Sequence, residues 1–399
     1  MIVRINEPIA YIFLYVSMYA AFGVSSPFWP AFFGTKGLTS QQIGFVLSAA
    51  MLIRLIAGPL VGRLADISGS LRAALATCAA LSATVAGAFL ISNSFSSLLT
   101  IALLQAATLS PMTSLADALA VNVASPRLAG KAFEYGWIRG SASAAFVAGT
   151  LLVGQLVTHT NFTPIISMNM VLLAVTAIAT SLLPQAHQAR SPVSRSNRSA
   201  GVYQLFRLSR FRALILVSAL VFGSHAMHDA FAVIRWSDAG IDTSVISVLW
   251  SEAVAAEVIV FVFVGPALVR QFGVRGAAIL AASAGVVRWS IAGVTTSVLL
   301  LSLLQPLHGF TFALLHLACM RSMSVLIPTH LSASAQAIYA FAAGVVTAGL
   351  TLVSGILYAS YGGAAFFAMA VLCAIALPVA WFGLSDDTVS GGAPDIPPD

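Results

Sequence analysis

The chain reads as an all-α integral membrane protein of about twelve transmembrane helices, set out as two six-helix halves. Three observations predict this. Of its 399 residues, 59% are hydrophobic and only 8% are charged, and the mean hydropathy is +0.95, well above a soluble globular composition. Apolar runs of the roughly 20 residues needed to cross a bilayer recur throughout. A basic, serine-rich stretch near the middle divides those runs into two nearly equal sets.

The runs place spans near 8–33, 41–62, 73–92, 98–123, 132–158, 163–184, 213–236, 245–268, 276–297, 299–321, 333–359 and 363–384. The first, Pro8 to Phe33, is too long for a signal-peptide core and lacks an Ala-x-Ala exit, so it is expected to stay as a helix. With the N-terminus inside, only Lys36 and Arg235 among the basic residues fall outside. Arg54, Arg139 and Arg288 lie within spans, Arg54 close enough to the inner face to snorkel, and the rest are cytoplasmic. This positive-inside asymmetry makes the net charge of +6 a matter of orientation, not of nucleic-acid binding. The expected divisions are a first half over 1–184, a cytoplasmic linker over 185–212, a second half over 213–384 and a disordered cytoplasmic tail over 385–399. Within the linker, Leu205 to Phe211 reads as a short amphipathic segment resting on anionic headgroups. Cys78, Cys319 and Cys373 lie in separate apolar runs and read as packing residues.

The halves echo one another. Gly58-Pro59 opens GPLVGRLADISGSLRAA at the end of the second span, and Gly265-Pro266 opens GPALVRQFGVRGAA at the end of the eighth. Two six-span halves joined by a long cytoplasmic loop resemble the major facilitator superfamily, whose halves rock about a midplane site. The resemblance extends to that family's G-x-x-x-D-x-x-G-x-x-R loop, present as Gly62, Asp66, Gly69 and Arg72, with Ile67 where a basic residue is usual. These four are expected to form a conformational latch: the glycines permit a tight turn, and Asp66 can accept from a neighbouring helix N-terminus.

Ionisable residues inside apolar spans carry the functional expectation, because a charge at bilayer depth is costly and marks an ion or substrate path. On ideal helices Glu257 lies roughly 18 Å from the outer face, Arg288 roughly 12 Å and His308 roughly 13 Å. One cluster of all three is therefore expected, with His316 about two turns further in and ~80° around the helix. Apolar surroundings favour a protonated carboxyl and an adjacent guanidinium favours the ionised form, so their relative movement would load or release a proton. Trp250, seven residues before Glu257, offers a stacking surface on the same face. His225, His228 and Asp229 fall at i, i+3 and i+4 on one face; without a further fixed ligand they are not expected to hold a metal. Glu252, ~140° from Glu257, is expected to pair with His228 or Asp229 near the outer mouth or to be solvated there. In the first half, Asp117 and Arg139 are expected to pair across the fourth and fifth spans.

These residues resemble the phenylpropionate permease branch of the superfamily, relatives of lactose permease. The matching stretches are SHA at 224–226, Phe231, Trp236, LW at 249–250, AE at 256–257, VVRW at 286–289, Gln305, LHGFTF at 307–312 and His316. In the first half they are PFWP at 27–30, LADALA at 115–120 and YGWIR at 135–139. The resemblance implies that Glu257, Arg288 and His308 are the family's buried charged and histidine positions. It also implies that Arg139 matches the arginine that contacts sugar in lactose permease. It points to proton-coupled symport of a small organic solute by alternating access, the solute being an aromatic carboxylate such as 3-phenylpropionate. Arg139 or Arg288 would then meet the carboxylate. Sugar or nucleoside symport is the alternative, favoured by His228, Asp229 and Glu252; export of a drug or metabolite by proton antiport is another. No His-Glu-x-x-His or Gly-x-Ser-x-Gly motif supports an enzyme. The expected partners are solute, protons and lipid, with the proton gradient in place of a cofactor. The expected setting is a monomer in a bacterial inner membrane with both termini cytoplasmic.

Overall fold

The computed structural model describes residues 7–124, 135–158, 161–183, 198–328 and 331–384. Arg4, Arg127, Lys131, Arg190, Arg195, most of the linker and the tail 385–399 lie outside the described residues.

The first run is two helices, α1 (Glu7–Ser25) and α2 (Trp29–Thr35), bent by 45°. Pro30 stands second in α2, where it lacks an N–H and its ring displaces the preceding turn. α3 (Ser40–Ser68) opens on a reciprocal cap: the Gln42 N–H donates to Thr39 Oγ1 at 3.3 Å, and the Thr39 N–H donates to Gln42 Oε1 at 3.0 Å. It ends at Gly69, left-handed at φ 68°. α4 (Leu71–Ile91), α5 (Phe95–Ala124), α6 (Tyr135–Leu156) and α7 (Thr163–Ser181) complete the first half.

α8 (Arg198–Arg207) precedes α9 (Ser209–Gly223), α10 (Ala226–Asp238) and α11 (Thr243–Ile259). A π-turn, Val260–Val264, leads into α12 (Gly265–Val294). α13 (Val298–Leu304) and α14 (Leu307–Gly309) lead to a second π-turn, Phe310–Leu314, and then α15 (Leu315–Leu326). α16 (Ser332–Tyr361) and α17 (Phe366–Gly383) follow.

Among the described residues eight stretches are long and apolar enough to cross a membrane, and the bent α1–α2 pair makes a ninth. Two of them, Thr243–Val294 and Ser332–Gly383, are 52 residues long. Each would extend about 78 Å if straight, against a hydrocarbon core of about 30 Å, so each holds two passes. The reversals fall at Gly273 (φ 66°) and Gly362 (φ 52°). Dividing these two and including the 22-residue α6 gives the twelve expected passes.

Packing divides the chain into two compact units. Among the described residues, the first comprises those up to 183 together with 229–251 and 351–359, and the second comprises 198–228, those within 252–350, and 360–384. In the first, Tyr11, Tyr15 and Met18 of α1 are buried with Leu115 and Leu119 of α5. In the second, α9, α12, α15 and α17 surround a core that includes Phe211, Leu214, Ala281, Leu315 and Ala376. The sequence echo becomes a repeated contact. Arg72 donates to the Leu183 carbonyl just beyond α7 at 2.6 Å, and Arg275 donates to the Leu384 carbonyl just beyond α17 at 2.6 Å.

Candidate functional site

In the second unit, three passes bring Glu257, Arg288 and His308 into one chain of contacts. Arg288 on α12 is 2% exposed; its guanidinium meets His308 Nδ1 at 3.0 Å and Gln305 Oε1 at 3.3 Å. A guanidinium only donates, so His308 Nδ1 accepts and the ring hydrogen sits on Nε2. That nitrogen faces Glu257 Oε2 at 3.5 Å. The imidazole thus stands between cation and carboxylate, its Nδ1 held by the guanidinium and its Nε2 hydrogen turned toward Glu257. Arg288 also lies over the fully buried Trp289 ring, 4.4 Å from its centroid, and the indole N–H donates to Ser224 Oγ at 2.8 Å.

The backbone is irregular where this chain forms. Glu257 precedes the π-turn Val260–Val264, and His308 precedes the π-turn Phe310–Leu314. A Cβ on Gly309 would stand 2.7 Å from the Ala256 carbonyl oxygen and 2.7 Å from Val260 Cγ2. Gly309 therefore sets the close approach that lets His308 reach Glu257.

His225 joins this cluster by a route the spacing argument did not contain. α9 ends at Gly223 and α10 starts at Ala226, and His225 stands in the two-residue turn between them. Its Nδ1 lies 3.1 Å from the Val221 carbonyl and its Nε2 3.0 Å from Thr311 Oγ1, while its ring meets Trp289 at 5.3 Å and His308 at 5.2 Å. His228 packs on Trp289 at 5.7 Å, whereas Asp229 is exposed on α10. Glu252 accepts from Ser302 Oγ at 2.9 Å, a partner the sequence did not indicate. His316 Nδ1 lies 3.1 Å from Tyr339 OH, and its ring meets Phe261 at 5.8 Å. It is thus held by α16 and by the Val260–Val264 π-turn.

The first unit holds a second cluster. Arg139 on α6 pairs with Asp117 on α5 at 3.5 Å, as the span arithmetic expected, with 46% and 38% of the two side chains exposed. Two tyrosines of α1 complete it. Tyr15 OH donates to Asp117 Oδ1 at 2.5 Å, and Arg139 donates to Tyr19 OH at 2.7 Å while lying 5.5 Å from that ring's centroid. The i, i+4 spacing of Tyr11, Tyr15 and Tyr19 was the available signal for this face. Trp250 is half-buried on α11. In the loop motif, Gly69 makes the turn after α3 and Arg72 binds Leu183. Asp66 is exposed and has no side-chain partner among the described residues.

A model of the "MFS_1 like family" matches residues 9–369. The chain is 32% identical over 367 residues to the "Probable 3-phenylpropionic acid transporter" of Escherichia coli (strain K12), covering 91% of this chain and 94% of that relative. It is 24% identical over 277 residues to the maltose permease of Geobacillus stearothermophilus, covering 69% and 68%. Among solved structures, the nucleoside transporter NupG superposes with a TM-score of 0.82 at 16% identity, over 94% of this chain and 98% of that one. The D-xylose-proton symporter does so with a TM-score of 0.68 at 14% identity, over 95% and 97%. At such identities these structures speak for the fold. With twelve apolar passes in two halves and a family match across nearly its whole length, the chain belongs to the MFS_1 like family and is a multi-pass membrane transporter, not an enzyme.

Proposed function

We propose that this transporter is a proton-coupled symporter that imports a small aromatic carboxylate such as 3-phenylpropionate by alternating access. It would work as a monomer in a bacterial inner membrane with both termini cytoplasmic, driven by the proton gradient without a cofactor. The observation that carries the coupling is the Arg288–His308–Glu257 chain, a cation and a carboxylate joined through one imidazole inside apolar helices. A proton arriving on Glu257 releases its hold on His308, and the freed imidazole changes what Arg288 must satisfy. Binding of solute and binding of proton to such a chain are linked reciprocally. The substrate class rests on the name of the 32% identical relative.

The test is uptake of labelled 3-phenylpropionate into right-side-out vesicles with and without an acid-outside gradient. Gradient-dependent accumulation is expected. Glu257→Gln keeps the shape and removes the proton site, so it should abolish uphill accumulation; normal uphill uptake by this variant would sink the coupling. A nucleoside or sugar is the second reading. It is favoured by Glu252, whose Oε2 is buried without a partner among the described residues and suits a ligand hydroxyl. Uptake of uridine or xylose, with none of 3-phenylpropionate, would select it.

A further inference from the structure

We propose that His225 is a second proton-binding site of this transporter, with the Thr311 hydroxyl serving both of its protonation states, an assignment that rests on the proton-coupled reading above. Every group involved lies in the second unit. His225 is 5% exposed, in the turn between α9 and α10, and Thr311 stands in the π-turn Phe310–Leu314. The neighbours of the ring fix its tautomer. Nδ1 lies 3.1 Å from the Val221 carbonyl and 3.2 Å from the Phe222 carbonyl. A carbonyl only accepts, so Nδ1 carries the hydrogen. In a neutral His225 the lone pair is then on Nε2, which faces Thr311 Oγ1 at 3.0 Å, and that is where a proton adds.

Thr311 Oγ1 reaches two partners, His225 Nε2 at 3.0 Å and the His308 carbonyl at 3.1 Å. A hydroxyl donates one hydrogen, accepts as well, and rotates to suit. With His225 neutral, the Thr311 hydrogen points to Nε2. When an aqueous proton adds there, the new N–H bond donates to Oγ1 and the hydroxyl hydrogen swings to the His308 carbonyl, with no O–H bond broken. A bond to the carbonyl three residues back is common for a helical threonine; here it gives the hydroxyl an acceptor once Nε2 is occupied. Both states are therefore hydrogen-bonded through the rotation of one hydrogen. An apolar side chain in its place would leave a buried imidazolium with an unsatisfied charged donor, which is costly.

The ionisable groups around His225 come from every element packed on it. His228 of α10 lies on the same Trp289 ring at 5.7 Å, and Arg288 of α12 lies over that ring at 4.4 Å. His308 of α14 is 5.2 Å away, ring to ring, and Glu257 of α11 stands 3.5 Å from His308 Nε2. Cys373 of α17 donates to Ser224 Oγ at 3.3 Å. With every histidine neutral, Arg288 and Glu257 cancel. An ionised Glu257 favours a proton on His225, and a protonated Glu257, leaving Arg288 unbalanced, disfavours it. The two residues are thus alternate holders of one proton, rather than bearers of two.

The test is nitrogen NMR of the full-length protein in lipid nanodiscs, with nitrogen-labelled histidine and carbonyl-labelled serine. Ser224-His225 is the only Ser-His pair in the sequence, so the His225 signals are assigned without a substitution. As the pH is lowered from about 9 to about 5, His225 should begin as the Nδ1–H form and gain the Nε2 hydrogen. Thr311→Val keeps the shape and removes the hydroxyl, so the midpoint should move about one pH unit toward acid, and Thr311→Ser should restore it. Glu257→Gln should move it the same way, because the carboxylate that favours the proton is gone. A ring that stays neutral throughout, an Nε2–H ring at alkaline pH, or a midpoint that either Thr311→Val or Glu257→Gln leaves in place would overturn the assignment. The vesicle test decides the coupled reading separately. Gradient-driven uptake with a His225 that does not titrate overturns this assignment alone; uptake indifferent to the gradient overturns the coupling, and the role of His225 with it.

Discussion

Gly309→Ala tests how the proton chain is built. The new Cβ would sit 2.7 Å from the Ala256 carbonyl oxygen and 2.7 Å from Val260 Cγ2, where ordinary contact begins at 3.4 Å. One obstacle is backbone, so the passes must separate by about 0.7 Å rather than turn a side chain aside. Overpacking of this kind costs about 1–3 kcal/mol. The same displacement taken along the His308–Glu257 contact lengthens it from 3.5 Å to about 4.2 Å, beyond useful ion-pair reach. Gly349→Ala on α16 is the control: nothing stands within 4 Å of its Cβ, and an alanine in mid-helix should gain about 0.5–1 kcal/mol. Thermal unfolding of the purified proteins and uphill accumulation in vesicles provide the two readouts. Gly309→Ala should lower both, and Gly349→Ala should lower neither. A Gly309→Ala protein as stable as the control would refute the idea that this glycine sets the approach.

Asp117→Asn should cost less than about 1 kcal/mol of stability, since its pair with Arg139 is more than a third exposed on both sides; a loss above 3 kcal/mol would mean the pair behaves as a buried one. Gln105 is 4% exposed, and both its amide atoms lack a partner among the described residues. Gln105→Leu should therefore raise stability by about 1–3 kcal/mol, and a lower thermal midpoint would show that the amide is satisfied.

The passes and the halves were legible in the sequence because hydropathy and basic asymmetry respond to the bilayer itself, residue by residue. The Asp117–Arg139 pair and the Glu257–Arg288–His308 grouping were legible because depth follows from counting along a helix. Counting failed wherever the helix stops being regular. Across the turn between α9 and α10 it grouped His225, His228 and Asp229, whereas the two histidine rings pack on Trp289 and Asp229 is exposed. The ~80° assigned between His308 and His316 ignored the π-turn that lies between them. Tyr15 and Tyr19 went unread because a tyrosine in an apolar run registers as hydrophobic, although its hydroxyl is what completes the Asp117–Arg139 cluster.

A π-turn carries one residue more than the α-turn it replaces. Val260–Val264 and Phe310–Leu314 therefore give each of two passes one residue of surplus length. Removing a residue inside either turn restores plain α-helix and leaves the flanking segments facing as before. The same deletion within α4 or α7, which have no such reserve, rotates everything beyond it by about 100°. The second half thus has two positions at which chain length can change by one while the helix faces on both sides keep their orientation.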